Sequence, residues 1–316
     1  MQLLWTRPDD TRHGHFQAAS VHRLSAGFDQ AGKLVRWRHT KAGSLHNLGG
    51  VEKPPMPNDP AFYQGYAWGV YDLPYAVPDM EMAYVPVDLP VPHGPWRSVF
   101  APGSVFAREC FIDELAHAQS ADPLAFRLAL LQGDEPVKAG DLTIERSRLR
   151  RVLEVARDRS GWNWKEKSNP GEGRGAACNI YDGDTHIAYV ADVLVRDGHV
   201  QVKRVVAAVD CGLVINPIGV EQQIEGGIIW GLSSALKGEI TFRNGVAEQH
   251  TYADFEVARM RDAPVIETHI VQGNSERPFG MGEPPVPPTA PAIANAIFAA
   301  TGKRIRKLPI RAEDLA

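Results

Sequence analysis

An α+β fold with mixed sheets and packed helices is predicted by three observations. Apolar and polar residues alternate over His186–Val195 and Gln201–Val209, on either side of Asp197-Gly198, a dipeptide typical of a two-residue β-hairpin. Residues 143–159 carry an apolar stripe at helical spacing, which predicts an amphipathic helix. A third pattern predicts a helix over Val220–Leu236. Paired strands together with helices indicate a fold of the α+β class. No internal repeat is visible in the sequence.

The remaining elements follow from turn and cap residues in chain order. Leu3–Arg7 resembles a strand followed by a turn at Pro8–Asp10, and Ser20–Arg38 predicts two antiparallel strands around Gly32. Residues 49–103, rich in Pro and Gly, predict loops with brief strands. The further elements expected are a helix capped by Ser104, a helix from Asp122-Pro123 through Leu131, strands near Glu239–Arg243 and Val265–Val271, and a last helix over Ala290–Ala300 that ends at Gly302.

A chain of 316 residues can bury a sizeable core and is long enough for two lobes. We expect a first lobe over residues 1–135, a helical connector over 136–170 and a second lobe over 171–316. The arginines of the predicted connector helix are interpreted as a solvated face.

The composition excludes some partners. With 44% hydrophobic and 23% charged residues and a formal net charge of −4, the chain is typical of a globular protein, and nucleic acid is not expected as a ligand. No stretch of about 18 apolar residues occurs, so no membrane span is expected, and the first residues lack the apolar core of an export signal. The expected location is the cytoplasm, with export to the periplasm together with a partner as the alternative.

Protein ligands for a metal ion are not predicted. Cys110, Cys178 and Cys211 lie far apart and are interpreted as buried apolar residues, and the eleven histidines show no HExxH pattern. The close pair His13 and His15 has no third ligand nearby in the sequence.

The most informative segment is Gly280–Pro285, where Glu283 stands between glycines and a proline, just before a predicted helix. Pro284 favours an extended Glu283, and Gly280 and Gly282 leave room for a bulky ligand beside the backbone. By itself, such a glutamate is more typical of a solvated surface loop.

Several motifs in order resemble the molybdenum-binding subunit of the xanthine oxidase family, in particular its isoquinoline 1-oxidoreductase and aldehyde dehydrogenase type. The resemblance covers nearly the whole chain and rests on these segments: Trp5–Asp10, Gly94–Val99, Phe111–Ala116, Ala208–Gly212 with Asn216-Pro217, Gln223–Gly226 and Gly280–Ile297. It implies a molybdopterin-binding fold, of which this chain would be the carboxy-terminal part.

The resemblance also implies roles for individual residues. Glu283 matches the family's active-site base, and Arg97 matches an arginine beside the substrate pocket that stabilises developing negative charge. Gln223 matches a glutamine that hydrogen-bonds the pterin, while Gly280 and Gly282 would border the cofactor. From the residues alone, Arg97 is also compatible with a surface or phosphate-loop arginine, and Gln223 with a helix-surface glutamine.

The implied activity is hydroxylation of a carbon in an N-heterocycle or of an aldehyde carbon, with water as the oxygen source. The implied cofactor is molybdopterin with molybdenum, in its cytosine dinucleotide form. The implied partners are a small subunit with iron–sulfur clusters and, beyond it, a cytochrome or a flavoprotein, because no cluster or flavin motif occurs here.

Two glycine-rich cofactor loops of the family, Gly-Gly-Gly-Phe-Gly and Met-Gly-Gln-Gly, do not occur in the sequence. The chain is therefore expected to complete its site with the amino-terminal half of the molybdopterin subunit, either as a split subunit or as a fragment of a longer chain. We expect Leu3–Trp5, the Trp96-Arg97 loop and the Gly280–Pro285 loop to line one open apolar surface. A non-catalytic assembly or interaction module of the same fold is the alternative.

Overall fold

The computed structural model describes residues 1–44, 69–87, 89–139, 142–165, 169–273 and 275–315. Within these ranges the helices are α1 (Arg7–His13), α2 (Ala101–Ala118), α3 (Pro123–Leu130), α4 (Arg146–Ser160), α5 (Pro217–Leu236) and α6 (Thr289–Thr301). The strands are β1 (Ser20–Phe28), β2 (Leu34–Gly43), β3 (Asp79–Pro86), β4 (Val137–Ala139), β5 (Leu142–Ile144), β6 (Glu172–Tyr181), β7 (Thr185–Arg196), β8 (His199–Asp210), β9 (Phe242–Arg243), β10 (Val246–Ala247) and β11 (Val265–Ile270). The predicted α+β class with mixed sheets is confirmed.

A four-stranded sheet in the order β11-β8-β7-β6 carries the core. β11 runs parallel to β8, and the other pairs are antiparallel. Asp197 and Gly198 connect β7 to β8 with φ values of 51° and 71°, the left-handed pair that a tight hairpin turn requires. The hairpin predicted at this dipeptide is confirmed.

Both faces of this sheet are buried, because successive side chains of a strand point to opposite sides. Ile187 and Tyr189 of β7 belong to the core beneath α5 and α6, whereas Ala188 and Val190 belong to the core beneath α4. α6 lies so close to β6 that a Cβ on Gly175 would stand 2.1 Å from the Ala296 nitrogen. Only glycine allows this approach, which places the middle of α6 directly on the sheet.

A second sheet has the order β1-β2-β3, with β1 and β2 antiparallel and β2 and β3 parallel. The predicted β1–β2 hairpin is confirmed: the Asp29 carboxylate accepts hydrogen bonds from the amides of Ala31 and Lys33, and Gly32 has a φ of 76°. Within the Pro/Gly-rich segment, β3 is the strand that the structure describes, and residues 49–68 lie outside the described ranges. The division into lobes at 1–135, 136–170 and 171–316 stays a prediction.

The opening segment differs from the prediction. The expected strand at Leu3–Arg7 and turn at Pro8–Asp10 are wrong: residues 1–6 have no regular structure, and helix α1 begins at Arg7. Thr6 and Asp9 form reciprocal hydrogen bonds at the start of this helix, so they make a capping box. This local hydrogen bonding outweighs the weak strand pattern of the apolar residues before it.

Four further boundaries or environments differ. α2 begins at Ala101, so Ser104 lies inside the helix and donates to the Phe100 carbonyl instead of capping it. The helix predicted from residue 143 begins at Arg146, after β5, and the strand expected near Glu239 is confined to β9. Arg148 of α4 is not solvated, because its guanidinium forms an ion pair with the buried Asp210. The predicted apolar stripe of α4 is fully buried.

The β1–β2 hairpin also contains a histidine pair. His22 Nδ1 and His39 Nε2 lie 2.9 Å apart, and burial lowers the pKa of His22 to about 2 and that of His39 to about 3. The unfolded chain takes up a proton on each imidazole near pH 6.5, while the folded chain keeps both neutral. Protonation therefore favours the unfolded state below pH 6.5.

We expect the free energy of unfolding to fall between pH 7 and pH 5, with each buried histidine contributing about 1 to 2 kcal/mol of that loss. His39→Gln keeps a polar nitrogen close to the position of Nε2 but cannot titrate, so it should flatten the decline by that amount. Urea unfolding at several pH values measures this. The exposed His199 provides the control, because His199→Gln should leave the slope as it is; an unchanged slope in His39→Gln would contradict the assignment.

Candidate active site

The Gly280–Pro285 loop lies against the sheet and leads into α6. Thr185 at the start of β7 donates to the Gly280 carbonyl at 3.1 Å, and Tyr189 donates to the Pro285 carbonyl at 2.9 Å. Thr289 also donates to the Pro285 carbonyl, at 3.1 Å, and residues 284–288 are buried. Side chains of β7 and α6 therefore hold the loop through hydrogen bonds to its backbone carbonyls.

The Glu283 carboxylate is half-buried, and both of its oxygens accept hydrogen bonds. Oε1 accepts from the Ser98 amide at 3.2 Å, and Oε2 accepts from the Tyr181 hydroxyl at 2.6 Å. A carboxylate has about four lone-pair positions, so each oxygen keeps a further position for a proton or a donor. These two hydrogen bonds therefore orient the Glu283 carboxylate, while each of its oxygens can still accept a further hydrogen bond or a proton.

The second component is the loop that contains Arg97 and Ser98. Ser98 and Val99 have φ values of 77° and 53°, in the left-handed region that non-glycine residues rarely occupy. The Ser98 side chain is fully buried, and its hydroxyl donates to the Glu283 carbonyl at 2.6 Å. Contacts with the Glu283 loop hold this unfavourable backbone in place, a pattern concentrated at functional sites.

Arg97 connects two other predicted site residues, Gly282 and Gln223. Its Nε donates to the Gly282 carbonyl at 2.5 Å, and one terminal nitrogen donates to the Gln223 side-chain oxygen at 2.9 Å. The guanidinium also lies 5.7 Å from the ring centre of Trp230 on α5. Partial burial lowers the pKa of Arg97, although Tyr189 and Glu283 act in the opposite direction. The five residues predicted for the site are therefore brought together.

An open space borders this cluster at two glycines. A Cβ on Gly280 or Gly282 would meet no heavy atom within 4 Å, and neither residue has a left-handed φ. Among the glycines of the described ranges, these two alone combine free space with an ordinary backbone conformation. Neither the backbone conformation nor the packing of the described residues requires glycine at these two positions, so the described part of the chain leaves space against the loop.

Two contributors could not be assigned from the sequence. Ser98 stands in a segment used for the family resemblance, but no pattern indicates that its amide reaches Glu283, 185 residues away. Tyr181 ends β6 just before the Asp182-Gly183 turn and carries no motif signal. Their roles depend on which loops meet at this end of the sheet.

The predicted apolar surface is supported in part. The Trp96-Arg97 loop and the Gly280–Pro285 loop meet, and the Trp96 ring lies 6.0 Å from that of Trp230, which is 46% exposed. Leu3, Leu4 and Trp5 are exposed, but the neighbouring Arg7 contacts Tyr252 rather than the Glu283 loop. Convergence of the opening segment on the site stays a prediction.

Other ligand and membrane features can be assessed in the described ranges. There, no group of three or more His, Cys, Asp or Glu side chains is arranged to hold a metal ion. The three cysteines are buried and free. No helix in the described part of the chain is both long enough and apolar enough to span a membrane.

Comparison with known proteins adds a family match and several relatives. Residues 135–264 match the model of a molybdopterin cofactor-binding domain, a range that contains Gln223 but not Arg97 or Glu283. The chain is 30% identical to a membrane-bound aldehyde dehydrogenase (pyrroloquinoline-quinone) of Gluconacetobacter polyoxogenes, over 100% of this chain and 42% of that protein. It is 29% identical to the isoquinoline 1-oxidoreductase subunit beta of Brevundimonas diminuta, over 98% of this chain and 38% of that subunit.

The fold is also similar to that of a solved structure. Quinoline 2-oxidoreductase from Pseudomonas putida 86 superposes with a TM-score of 0.80 at 13% identity, over 98% of this chain and 63% of that chain. At this identity the likeness concerns the fold alone. The chain spans less than half the length of both curated relatives.

Proposed function

Because the chain belongs to the molybdopterin-binding family of the molybdenum hydroxylases, we propose that it forms the base-carrying part of such an enzyme's molybdopterin subunit. The proposed reaction inserts an oxygen atom from water into a C–H bond of an N-heterocycle or an aldehyde. Oxidation of each C–H bond releases two electrons and two protons from the substrate and water. This chain would be inactive alone and would complete its site with the amino-terminal half of the subunit.

One observation carries the proposal: a carboxylate oriented from two sides stands next to an open face. Glu283 is held by the Ser98 amide and the Tyr181 hydroxyl, and the adjacent Gly280 and Gly282 leave space that the described residues do not fill. A positioned general base must lie within hydrogen-bonding reach of the proton it abstracts, and such a base is worth about 100- to 10,000-fold in rate. The free lone-pair positions of Glu283 meet that requirement.

The residues present fit a large pterin-type group. We propose that Gln223 hydrogen-bonds it, since an amide both donates and accepts, and that it lies against the backbone at Gly280 and Gly282. When bound, the molybdenum–pterin group, proposed as the cytosine dinucleotide form, would supply the acceptor for the two electrons. Glu283 would take up a proton at a carboxylate oxygen, and Arg97 would orient the substrate and offset negative charge that develops on it.

The aromatic pair Trp96 and Trp230 favours a planar substrate. The exposed Trp230 indole lies next to the Arg97 guanidinium, which combines a flat apolar surface with a fixed positive charge. An aromatic ring stacks on such a surface, and a ring nitrogen or a carbonyl oxygen accepts from the guanidinium. This supports an N-heterocycle or an aromatic aldehyde.

The electrons must reach a partner. We propose that a small iron–sulfur subunit accepts the electrons and passes them to a cytochrome or a flavoprotein, as the family resemblance implies. The location of the assembled enzyme stays a prediction, with the cytoplasm preferred and the periplasm as the alternative.

A non-catalytic assembly module of the same fold is the competing proposal. Metal analysis of the complex formed with the amino-terminal half distinguishes the two. Molybdenum and pterin in a 1:1 ratio to this chain support the enzyme, whereas a stable complex without either supports the module.

Gly282→Leu tests the cofactor position directly. The added side chain would point into space that the described residues leave free, so we expect the free energy of unfolding to change by no more than a surface substitution does, about 0.5 kcal/mol. Molybdenum content of the complex should fall severalfold, because the same space would be needed by the cofactor. Ala125→Leu, at an exposed position of α3, serves as the matched control, and full molybdenum content in Gly282→Leu would contradict the proposed position.

A further inference from the structure

The contact between Tyr181 and Glu283 joins distant parts of the chain. Tyr181 is the last residue of β6, and Glu283 lies 102 residues later, ahead of α6. The Tyr181 hydroxyl stands 2.6 Å from Glu283 Oε2, a distance typical of a hydrogen bond from a hydroxyl to a charged carboxylate. Such bonds are about twice as strong as those between neutral groups.

The direction of this hydrogen bond follows from the surroundings of the phenol. Burial raises the pKa of Tyr181, and the bonded Glu283 raises it further, so the hydroxyl keeps its proton at neutral pH. Tyr181 is therefore the donor and the carboxylate is the acceptor. A donor of this kind stabilises the charged carboxylate, the form that can take up a proton.

Other charged groups face Glu283 from the elements packed around it. The Arg97 guanidinium, from the loop that precedes α2, is a nearby opposite charge, and Asp182, from the β6–β7 turn, is a nearby like charge. The Ser98 amide donates to the other oxygen. These groups remain in place when only the Tyr181 hydroxyl is removed, so the effect of that hydroxyl can be isolated.

We propose that Tyr181 is a positioning residue for the base: its hydroxyl sets both the orientation of the Glu283 carboxylate and the pH range in which that carboxylate can accept a proton. The inference rests on the proposed function of Glu283. Ser98 binds one oxygen through its backbone amide, which remains when the serine side chain is shortened, whereas Tyr181 binds the other through a side-chain hydroxyl that substitution by phenylalanine removes. Of the two donors to the Glu283 carboxylate, the Tyr181 hydroxyl is therefore the one that can be removed by a conservative substitution.

The chain offers a matched control in Tyr189. Its hydroxyl bonds the same loop, but at the Pro285 carbonyl instead of the carboxylate. The Pro285 carbonyl also accepts from Thr289, so Tyr189→Phe does not leave it without a donor. Tyr181→Phe and Tyr189→Phe each remove one hydroxyl from the support of one loop, and only the first touches Glu283.

The test in the assembled, cofactor-loaded enzyme is the pH dependence of kcat/KM. One hydrogen bond to a charged group corresponds to about one pH unit, so Tyr181→Phe should move the acid limb to higher pH by about that amount. Tyr189→Phe should leave the limb in place. An unmoved limb in Tyr181→Phe, or an equal shift in both variants, would overturn the proposal, since the second result means general loosening of the loop.

A second readout needs no turnover. Infrared titration of the isolated chain follows protonation of the Glu283 carboxylate, and its band is assigned by its loss in Glu283→Gln. In Tyr181→Phe this carboxylate should become protonated at a higher pH than in the parent chain. In Tyr189→Phe it should become protonated at the same pH as in the parent chain. If Glu283→Gln keeps full turnover, the proposed function fails, yet this titration still decides whether Tyr181 controls the carboxylate. A Tyr181→Phe titration that coincides with that of the parent chain overturns the inference by itself.

Discussion

Replacing Glu283 by glutamine is expected to lower turnover about 100- to 10,000-fold in the assembled enzyme, while molybdenum stays bound. Glutamine has nearly the same shape and keeps one acceptor oxygen, but it cannot take up a proton at neutral pH. Either the Ser98 amide or the Tyr181 hydroxyl loses its carboxylate partner, which affects stability by only about 1 kcal/mol. We therefore expect the loss of turnover to come from the chemical step and not from unfolding.

Measuring kcat together with molybdenum content separates this effect from cofactor loss. Glu276→Gln is the matched control, because Glu276 is an exposed glutamate seven residues earlier in the same segment, and we expect it to keep full turnover. Unchanged turnover in Glu283→Gln at full molybdenum content would remove Glu283 from the mechanism.

Replacing Glu109 by alanine is expected to reduce the free energy of unfolding by about 3 to 5 kcal/mol. Glu109 lies on α2 with no exposed surface, and its carboxylate pairs with the equally buried Arg127 at 2.9 Å. It also accepts from the Tyr75 hydroxyl at 2.9 Å and from the Cys178 amide at 3.2 Å. Alanine would leave the buried Arg127 guanidinium with only the more distant Asp113 carboxylate, at 3.9 Å, as a countercharge. It would also leave the Tyr75 and Cys178 donors without this acceptor and create a cavity.

Urea unfolding of this variant should be compared with that of Glu114→Ala on the same helix. The Glu114 carboxylate pairs with Arg306, whose side chain is 67% exposed, and surface pairs of this kind contribute about 0 to 1 kcal/mol. Similar losses in the two variants would show that the buried network around Glu109 does not carry the stability assigned to it.

The support of Glu283 makes the site sensitive to changes far away in the sequence. The carboxylate depends on a loop before α2 for one donor and on the end of β6 for the other. A shift of either element relative to α6 changes the orientation of the base without changing any residue of the Gly280–Pro285 motif. Variation in activity among relatives with an intact motif is therefore expected to track these two contacts.

Local patterns in the sequence determined much of the fold. The Asp197-Gly198 turn, the Asp122 cap of α3 and the Gly302 end of α6 involve residues close together in the chain, and each is found as predicted. The same holds for the apolar stripe of α4. Turn geometry, capping and periodicity act over a few residues, so a sequence displays them directly.

The tertiary structure alone decided how those parts meet. Arg148 looked solvated on its helix because its partner Asp210 is 62 residues away, and the same limit hid the donation from Tyr181 to Glu283 across 102 residues. Hydrogen bonds and ion pairs between distant residues depend on which strands and loops become neighbours when the core packs, and neither periodicity nor motif spacing contains that information.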